Sequence, residues 1–411
     1  MTGIEARLAA AGLPPLPRLA WLEIDTDALA GNVAVIRRLA GPTARIAAVV
    51  KADGYGHGLE VTARAFLAGG AGLLCVATLD EAIALRAAGI EAPLLVLYPI
   101  PAEATPAAAA AGVELVAAEA ASLEAMLAAW RAWPGAAVEH LRVHLEIETG
   151  LARAGFRPAE AAAAAGRIVG QPGVELAGLW SHLASSHDAE ASARQIERFA
   201  AAETAIVEAG VALPARHVAA TGALAAGTAP AFELVRVGLA LYGELPDGFP
   251  VAPDRAPIVA QLRPAMTLKA RPLRLAWFEA GEPIGYGAGW TAPARSLLAT
   301  LPIGYGDGWA RAYGGWSAAL VRGRRVPLVG SVAMDAVMAD VSALPEVSLD
   351  DEFVLLGAQG GDRITATELA RARTTISWEV LASMAYRVGR VYHAAAGLSG
   401  IRTLAGESLS R

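Results

Sequence analysis

The chain has 411 residues, of which 55% are hydrophobic and 18% are charged, and its formal net charge is −6. This length predicts two domains, and this composition excludes a disordered chain. The mild negative charge and the lack of a basic block argue against nucleic acid or an anionic membrane as a partner. The one cysteine, Cys75, lies in an apolar run and indicates a reduced, cytoplasmic protein. The N-terminal twenty residues contain charges and three prolines, and we expect no signal peptide there.

Short apolar segments alternate with alanine-rich helical segments between about residues 25 and 240. The predicted strands are 46–51, 73–78, 93–98, 113–117, 141–148, 174–183, 215–220 and 233–238. The predicted helices include 58–69, 79–88, 119–132, 158–169 and 191–209. This alternation is typical of parallel βαβ units, and eight of them predict a (β/α)8 TIM barrel over residues 20–250. A doubly wound open sheet is the alternative, but it would not require eight units.

The second half of the chain has a different character. Proline and glycine cluster around residues 246–257, and short strand-like segments with turn signals follow. We therefore predict a mostly antiparallel β domain over residues 251–411, with one helix near 376–387. Residues 1–24 are candidates to join this second domain.

Lysine is rare in this sequence and occurs only as Lys51 and Lys269. Lys51 ends the first predicted strand, and barrel enzymes build their sites at the C-terminal ends of the strands. Burial at this position favours the neutral amine, which can condense with a carbonyl group. The alternative is an end-of-strand lysine that extends its charge into solvent.

Other polar residues end the later strands. They are Arg153, His182, His217, Thr221 and Arg236. Thr221 and Gly222 open a helix and supply a hydroxyl and backbone N–H groups suited to a phosphate. A lysine beside a phosphate site suggests pyridoxal phosphate, or a phosphorylated sugar in a Schiff-base aldolase. We find no metal-ligand spacing and expect no metal.

The segment "VVKADGYGHG" around Lys51 resembles the cofactor motif of the alanine racemase family. Eight further segments follow in the family's order: "IETGLARAGF", "LWSHLASS", "HVAATGAL", "VRVGLALYG", "GYGAGW", "LPIGYGDGW", "SVAMDAVMADV" and "TTISWEVL". Together they extend over about residues 20 to 392. The resemblance therefore covers nearly the whole chain.

The resemblance implies a two-base reaction. Lys51 would hold pyridoxal phosphate covalently and act as the base on one face of the substrate α-carbon. Tyr286, from the second subunit of a homodimer, would be the base on the opposite face. A racemase needs a proton removed from one face and delivered to the other. Because tyrosine is a weak base, it needs cationic neighbours, and His182 with Arg236 are the candidates.

The resemblance also implies the remaining contacts. Arg236 would bond the pyridine nitrogen and leave it unprotonated, which weakens the ring as an electron sink and suits a racemase. Arg153 would support the substrate carboxylate and the cofactor's phenolic oxygen, and the backbone N–H of Met334 would bind that carboxylate. Tyr305 and Asp335 would line the entrance from the partner subunit. Further cofactor contacts would come from Tyr55, His182, Thr221, Gly222, Gly238 and Trp378.

The sequence departs from the family at four places. Glu146 stands where many members have a carbamylated lysine, and we predict that Glu146 replaces that anion and pairs with Arg153. Ala220 removes an amide before Thr221, and Trp378 replaces a tyrosine. Ser331 and Ala333 replace an arginine and a cysteine beside the substrate-carboxylate loop. The last two departures put narrow alanine specificity in question.

The sequence thus predicts a cytoplasmic, homodimeric enzyme that uses pyridoxal phosphate to interconvert L-alanine and D-alanine, for cell-wall synthesis or for D-alanine breakdown. The alternative within this chemistry is a racemase of another small amino acid such as serine, or of several. A decarboxylase, aldolase or dehydratase on the same barrel would need a metal cluster or a different residue at position 286. A cofactor carrier without activity would need neither the second domain nor Tyr286.

Overall fold

The structure is a computed structural model that describes residues 3–246 and 248–409. These residues form two compact units. The barrel unit comprises Leu29–Gly54 and Leu59–Arg263. The sheet unit comprises residues 3–28, Tyr55–Gly58 and residues 264–409. The sheet unit is therefore discontinuous in sequence.

Eight parallel strands, numbered here as barrel strands 1 to 8, form the barrel unit. They are Arg45–Val49, Leu73–Val76, Leu94–Val96, Val113–Ala117, Leu141–Glu146, Val174–Trp180, Ala215–His217 and Leu234–Val237. Strand 8 pairs with strand 1, and the Arg236 N–H donates to the Ala219 carbonyl at 3.0 Å, which nearly closes the ring between strands 7 and 8. The predicted TIM barrel is confirmed, and the open sheet is excluded.

The barrel strands are short and almost fully buried, as strands covered on both faces must be. Strands 2 and 3 have the sequences LLCV and LLV, and every residue in them is buried. The helices that follow the strands are Leu59–Ala68, Leu79–Ala87, Thr105–Ala110, Ala120–Ala132, Ala161–Val169, Ala189–Glu208, Thr221–Ala226 and Ala256–Val259. Helix Thr26–Ala40 precedes strand 1. The alanine-rich segments are therefore regular helices, as alanine's high helix propensity predicts.

One strand ends earlier than the sequence predicts. Strand 1 stops at Val49, and the backbone from Ala52 to Tyr55 turns in the left-handed region, with φ values between 51° and 59°. The Gly54 N–H donates to the Val50 carbonyl at 2.8 Å inside this turn. A left-handed residue other than glycine costs about 1–2 kcal/mol. Lys51 therefore lies at the start of a strained turn rather than in the strand.

The sheet unit is built on one large sheet. In spatial order its strands are Arg274–Phe278, Ser296–Leu301, Val337–Asp340, Arg324–Val329, Ala318–Val321, Phe353–Gln359, Met266–Ala270, Ala20–Asp25, Gly389–Ala394, Gly397–Thr403 and Gly406–Leu409. Asp362–Ile364 pairs with Phe353–Gln359, and Pro283–Ile284 forms a separate ribbon with Trp290–Thr291. Ala20–Asp25 runs parallel to Gly389–Ala394, whereas the other described pairings are antiparallel. The predicted antiparallel β domain is confirmed.

Three helices belong to the sheet unit. Helix Ile4–Ala10 packs Ile4 and Leu8 against Trp21, Val391 and Ile401. Helix Ser377–Ala382 lies within the predicted helical region 376–387 and is shorter than predicted, and helix Ala366–Arg373 was not predicted. Among the described residues, no helix combines the length and the hydropathy needed to cross a bilayer.

Candidate active site

Lys51 and Arg153 lie over the same aromatic ring. The Lys51 Nζ is 5.8 Å and the Arg153 guanidinium carbon 5.3 Å from the centre of the Tyr98 ring. Tyr98 follows barrel strand 3, and it was the last residue of the predicted strand 93–98. A ring face attracts cations, so Tyr98 holds both side chains near one another. The sequence analysis did not select Tyr98, although its position after a barrel strand was the available signal.

Arg153 also pairs with Glu146. Its guanidinium donates to Glu146 Oε1 at 3.2 Å, and Glu146 is 3% exposed at the end of barrel strand 5. Burial raises the pKa of Glu146 above its ordinary value, and the charges of Arg153 and Arg236 only partly offset this effect. The contact that we expected between these two side chains is present.

Arg236 is buried in barrel strand 8, and its two terminal nitrogens have acceptors within hydrogen-bond distance. It donates to the Ser181 carbonyl at 2.7 Å, to the His217 carbonyl at 2.5 Å and to His217 Nδ1 at 2.7 Å. Its guanidinium carbon lies 4.4 Å from the centre of the Trp180 ring. Burial lowers the pKa of Arg236 to about 10, so it remains charged at neutral pH. These contacts fix the guanidinium in one orientation.

A chain of hydrogen bonds continues from Arg236 through the barrel interior. His217 Nε2 lies 2.8 Å from His144 Nδ1, and His144 Nε2 lies 2.7 Å from Glu114 Oε2. Arginine can only donate, so His217 Nδ1 accepts from Arg236 and its Nε2 carries the proton. The same reasoning places the second proton on His144 Nε2, which donates to Glu114. Burial, then the charge of Arg236, lowers the pKa of His217 well below its ordinary value.

The sequence analysis selected His217 but not His144 or Glu114. Both missed residues are polar side chains inside otherwise apolar barrel strands, in the segments LRVHLE and VELVA. A buried polar side chain in a strand needs a partner, and that need was the signal available from sequence. The partner itself is visible only when the strands are placed side by side.

His182 is surrounded by positive charge. Burial, followed by the charges of Arg236, Arg153 and Lys51, lowers the pKa of His182 to about 3. Its Nδ1 accepts from Arg236 at 3.3 Å. His182 is therefore neutral at physiological pH, and the expectation that it is a cationic neighbour of a tyrosine base is wrong. The two guanidiniums of Arg236 and Arg153 outnumber the one carboxylate of Glu146, so this end of the barrel suits an anionic ligand.

Thr221 and Gly222 begin helix Thr221–Ala226 beside barrel strand 7. The Thr221 hydroxyl is buried and accepts weakly from the Ala240 N–H at 3.4 Å. A Cβ atom on Gly222 would lie 2.2 Å from the Ser186 hydroxyl and 2.8 Å from the Phe249 ring, so these two side chains already fill the space beside Gly222. Gly238 has an unusual backbone conformation, with φ −109° and ψ −98°.

The other predicted residues lie in the sheet unit. Tyr286 is 76% exposed, and its carbonyl accepts from the Ser331 hydroxyl at 3.2 Å. A cavity of about 350 Å³ is lined by Gly285, Tyr286, Thr300, Ser331, Ala333, Ala336 and Met338. Small side chains therefore leave open space beside Tyr286.

Tyr305, Met334 and Asp335 lie on two loops that hydrogen bond to each other. The Tyr305 N–H donates to the Ala333 carbonyl at 3.0 Å, and the Gly306 N–H donates to the Met334 carbonyl at 2.9 Å. The structure thus brings these three predicted residues together.

Tyr55 and Trp378 are also in the sheet unit. Tyr55 is 7% exposed, and its carbonyl lies 3.0 Å from His57 Nδ1. Trp378 is half-buried in helix Ser377–Ala382.

The fold and these side chains define a class of protein. A (β/α)8 barrel with an amine, two guanidiniums and a buried carboxylate at the C-terminal ends of its strands is a barrel enzyme that acts on an anionic ligand. The antiparallel unit with its exposed tyrosine distinguishes it from single-domain barrels.

Known proteins identify the family. Residues 24–246 match the family model for the alanine racemase N-terminal domain, and residues 265–392 match the model for its C-terminal domain. The alanine racemase of Desulfosudis oleivorans is 38% identical, over 91% of this chain and 96% of that protein. The alanine racemase of Symbiobacterium thermophilum is also 38% identical, over 91% and 97%. The chain belongs to the alanine racemase family.

Solved structures agree with this assignment. The alanine racemase from Bacillus anthracis with bound L-Ala-P superimposes with a TM-score of 0.86 at 32% identity, covering 94% of this chain and 98% of that one. A histidine racemase from Leuconostoc mesenteroides superimposes with a TM-score of 0.80 at 28% identity, covering 92% and 99%. Related proteins on this fold thus bear the names of racemases of different amino acids.

Proposed function

We propose that this protein is an amino-acid isomerase that interconverts L-alanine and D-alanine with pyridoxal phosphate. The observation that carries this proposal is the position of Lys51 after barrel strand 1, near Arg153 and Arg236, in a chain of the alanine racemase family. When bound, pyridoxal phosphate draws electrons from the substrate α-carbon and makes its proton removable. The excess of cations near Lys51 suits the phosphate and carboxylate charges of this cofactor and substrate.

Lys51 would hold the cofactor through its amine and would exchange a proton with one face of the substrate α-carbon. Tyr286 of the partner subunit exchanges a proton with the opposite face through its hydroxyl. The high exposure of Tyr286 in a single chain supports a shared site in a homodimer. With two different bases on opposite faces of the α-carbon, one base accepts a proton and the other donates a proton in either direction of the reaction.

Arg236 would donate to the pyridine nitrogen of the bound cofactor, and the hydrogen-bond chain through His217 and His144 keeps that guanidinium in place. Because Arg236 stays charged at neutral pH, it does not surrender a proton to the ring nitrogen. Arg153 binds the substrate carboxylate, and Glu146 orients Arg153 in place of a carbamylated lysine.

The remaining contacts are proposed from the family motifs. Cofactor contacts come from Tyr55, His182, Thr221, Gly222, Gly238 and Trp378. The Met334 N–H binds the substrate carboxylate, and Tyr305 and Asp335 line the entrance. We also propose a cytoplasmic location, supported by the single buried Cys75, and a role in supplying D-alanine to the cell wall or in degrading it.

A second candidate substrate is serine, or several small amino acids. Ser331 and Ala333 line the cavity of about 350 Å³ beside Tyr286, which leaves space for a side chain larger than a methyl group. The histidine racemase with the same fold supports the view that this scaffold tolerates other side chains.

The proposal is tested by purifying the protein and recording its absorbance for bound pyridoxal phosphate. Single enantiomers of alanine, serine and other amino acids are then incubated with it, and both enantiomers are quantified by chiral chromatography. We expect cofactor absorbance and fastest conversion of alanine. Lys51→Ala abolishes both, whereas the control Lys269→Arg, which keeps the ion pairs of Lys269 with Glu23 and Glu352, retains both. A protein without cofactor or racemisation contradicts the proposal, and faster conversion of serine favours the second candidate.

The two-base arrangement has its own test. In D2O, the wild-type protein exchanges the α-proton of both alanine enantiomers. We expect Tyr286→Phe to lose racemisation but to retain α-proton exchange for the one enantiomer whose proton faces Lys51. Retained racemisation by this variant excludes Tyr286 as the second base.

A further inference from the structure

A cluster of buried charged side chains contacts the loop over residues 333–336 of the sheet unit, called here the Met334 loop. The carboxylate of Asp307 is fully buried and accepts from Arg18 and from Arg387, each at 2.7 Å, and from the Gly304 N–H at 2.9 Å. Burial alone would raise the pKa of Asp307, but these hydrogen bonds outweigh it and hold that pKa below its ordinary value. Asp307 is therefore an anion that anchors both guanidiniums.

Arg387 connects this buried anion to the loop. Its Nε binds Asp307, and its terminal nitrogen donates to Asp335 at 2.6 Å and to the Met334 carbonyl at 3.4 Å. Asp307 is fully buried, whereas the Asp335 side chain is 66% exposed. One guanidinium thus spans an interior and a surface carboxylate, a geometry that only the planar fork of arginine provides.

Hydrogen bonds to its backbone carbonyl groups hold the Met334 loop in place. The Met334 carbonyl accepts from Gly306 and from Arg387, and the Ala333 N–H donates to the Ala336 carbonyl at 2.9 Å. Within the described part of the chain, the Met334 N–H donates no hydrogen bond, and Met334 is half-exposed. The loop therefore presents a backbone donor that is held in place and available to a ligand.

Charge at this loop decides which ligand can approach. A carboxylate bound at the Met334 N–H lies one residue from the Asp335 carboxylate. Two like charges at such short range repel each other unless a cation is shared between them. Arg387 supplies that cation, since it pairs with Asp335 and is held by Asp307.

We propose that Arg387 is a positioning residue for the substrate carboxylate: it clamps the Met334 loop and neutralises Asp335. This inference rests on the proposed function, because the substrate is the carboxylate that the Met334 N–H binds. Arg387 acts through Met334 and Asp335, and its loss weakens substrate binding more than it slows the chemical step.

The test uses the holoenzyme and compares wild type with Arg387→Gln. We expect the KM for alanine to rise about tenfold while kcat changes less than about threefold, since one charge-assisted contact is lost. Propanoate, which is alanine without its amine, should raise the Tm of wild type and raise it less for the variant. The matched control is Arg322→Gln, because Arg322 forms a comparable paired contact with Asp351 in the same unit. This control should behave as wild type.

A double variant separates charge from structure. Asp335→Asn combined with Arg387→Gln removes both charges, and we expect its KM to recover to within about threefold of wild type, with Asp335→Asn alone completing the cycle. A double variant no better than Arg387→Gln overturns the proposed neutralisation of Asp335. Arg387→Gln with an unchanged KM and an unchanged response to propanoate overturns the proposal.

If Arg387→Gln does not fold, Arg387→Lys tests the same proposal. Lysine keeps the charge but cannot bind both carboxylates as a fork, and we expect a KM about threefold above wild type. A wild-type KM for Arg387→Lys overturns the clamp. Failure of the proposed function looks different, because wild type itself would then neither racemise alanine nor respond to propanoate.

Discussion

Replacing Glu146 by glutamine tests whether this buried carboxylate orients Arg153. Glutamine keeps the shape of the side chain and removes its charge. In the wild type, one hydrogen bond of 3.2 Å joins the two residues, and the Arg153 side chain remains 34% exposed. In Glu146→Gln, Arg153 keeps its contact with solvent but loses the charged partner that holds it where it would support the substrate carboxylate.

The magnitude follows from the type of contact. Hydrogen bonds to charged groups contribute about 1.5–3 kcal/mol, and each 1.4 kcal/mol is about a factor of ten in rate or affinity. Because a single hydrogen bond joins the two side chains and Arg153 is partly solvated, its contribution lies at the lower end of this energy range. We expect kcat/KM for alanine to fall about tenfold in Glu146→Gln.

The effect on stability has the opposite direction. The folded protein raises the pKa of Glu146 above 4.5. A raised folded-state pKa contributes stability that is present below the unfolded-state pKa and lost as the pH rises through the folded value. The ionised carboxylate therefore destabilises the fold at neutral pH. Glu146→Gln should have a Tm at pH 7 no lower than wild type, and the difference should shrink as the pH falls toward 4.5.

The assay is steady-state racemisation of both alanine enantiomers, with thermal unfolding measured on the same samples. Glu175→Gln is the control, because Glu175 is an exposed carboxylate that pairs with Arg142 at 3.3 Å. Exposed pairs contribute about 0–1 kcal/mol, so this control should match wild type. Wild-type kcat/KM in Glu146→Gln would refute the idea that Glu146 orients Arg153.

Three further predictions concern other parts of the chain. A Cβ on Gly304 would lie 2.1 Å from the Ala333 carbonyl, so Gly304→Ala should lower the Tm and raise the KM, whereas Gly361→Ala, with no atom within 4 Å, should leave both unchanged. Denaturant titration should show that Gly304→Ala lowers the free energy of unfolding by about 1–3 kcal/mol. The pKa of His182 is lowered to about 3, so its stabilising effect is present above 6.5 and lost as the pH falls. His182→Asn should therefore lose less stability than wild type between pH 6.5 and about 4. Burial raises the pKa of the Cys75 thiol to about 12, and a thiol reagent should label it only after unfolding.

The barrel could be predicted from sequence because its strands are short apolar runs that cannot be stable outside a covered sheet. The left-handed turn after Val49 could not be predicted, since Ala52 and Asp53 have no intrinsic preference strong enough to choose it. Their conformation is held by tertiary contacts, such as the hydrogen bond from the Ala52 N–H to Glu81 at 2.7 Å.

The missed helix Ala366–Arg373 did carry a sequence signal. Thr365 caps it by accepting from the Glu368 N–H at 3.0 Å, and a threonine followed three residues later by a glutamate is a recognised helix start.

Individual residues of the candidate site were predicted from the sequence, whereas the contacts between them were not. Lys51, Arg153 and Arg236 were selected from strand ends and motifs. Tyr98 and His144 gain their partners only when strands distant in sequence lie side by side. Neutral His182 was misjudged because the charge on a histidine depends on cations that a linear sequence does not place near it.

The parallel pairing of Ala20–Asp25 with Gly389–Ala394 has a consequence for synthesis on the ribosome. Trp21 aligns with Gly389, so this inner strand of the sheet unit is made early, whereas its parallel neighbour is made almost last. The residues of the barrel strands emerge between these two segments and are complete first. A stalled or truncated chain that ends between residues 264 and 388 therefore carries the barrel sequence in full and a strand at residues 20–25 that lacks its parallel neighbour.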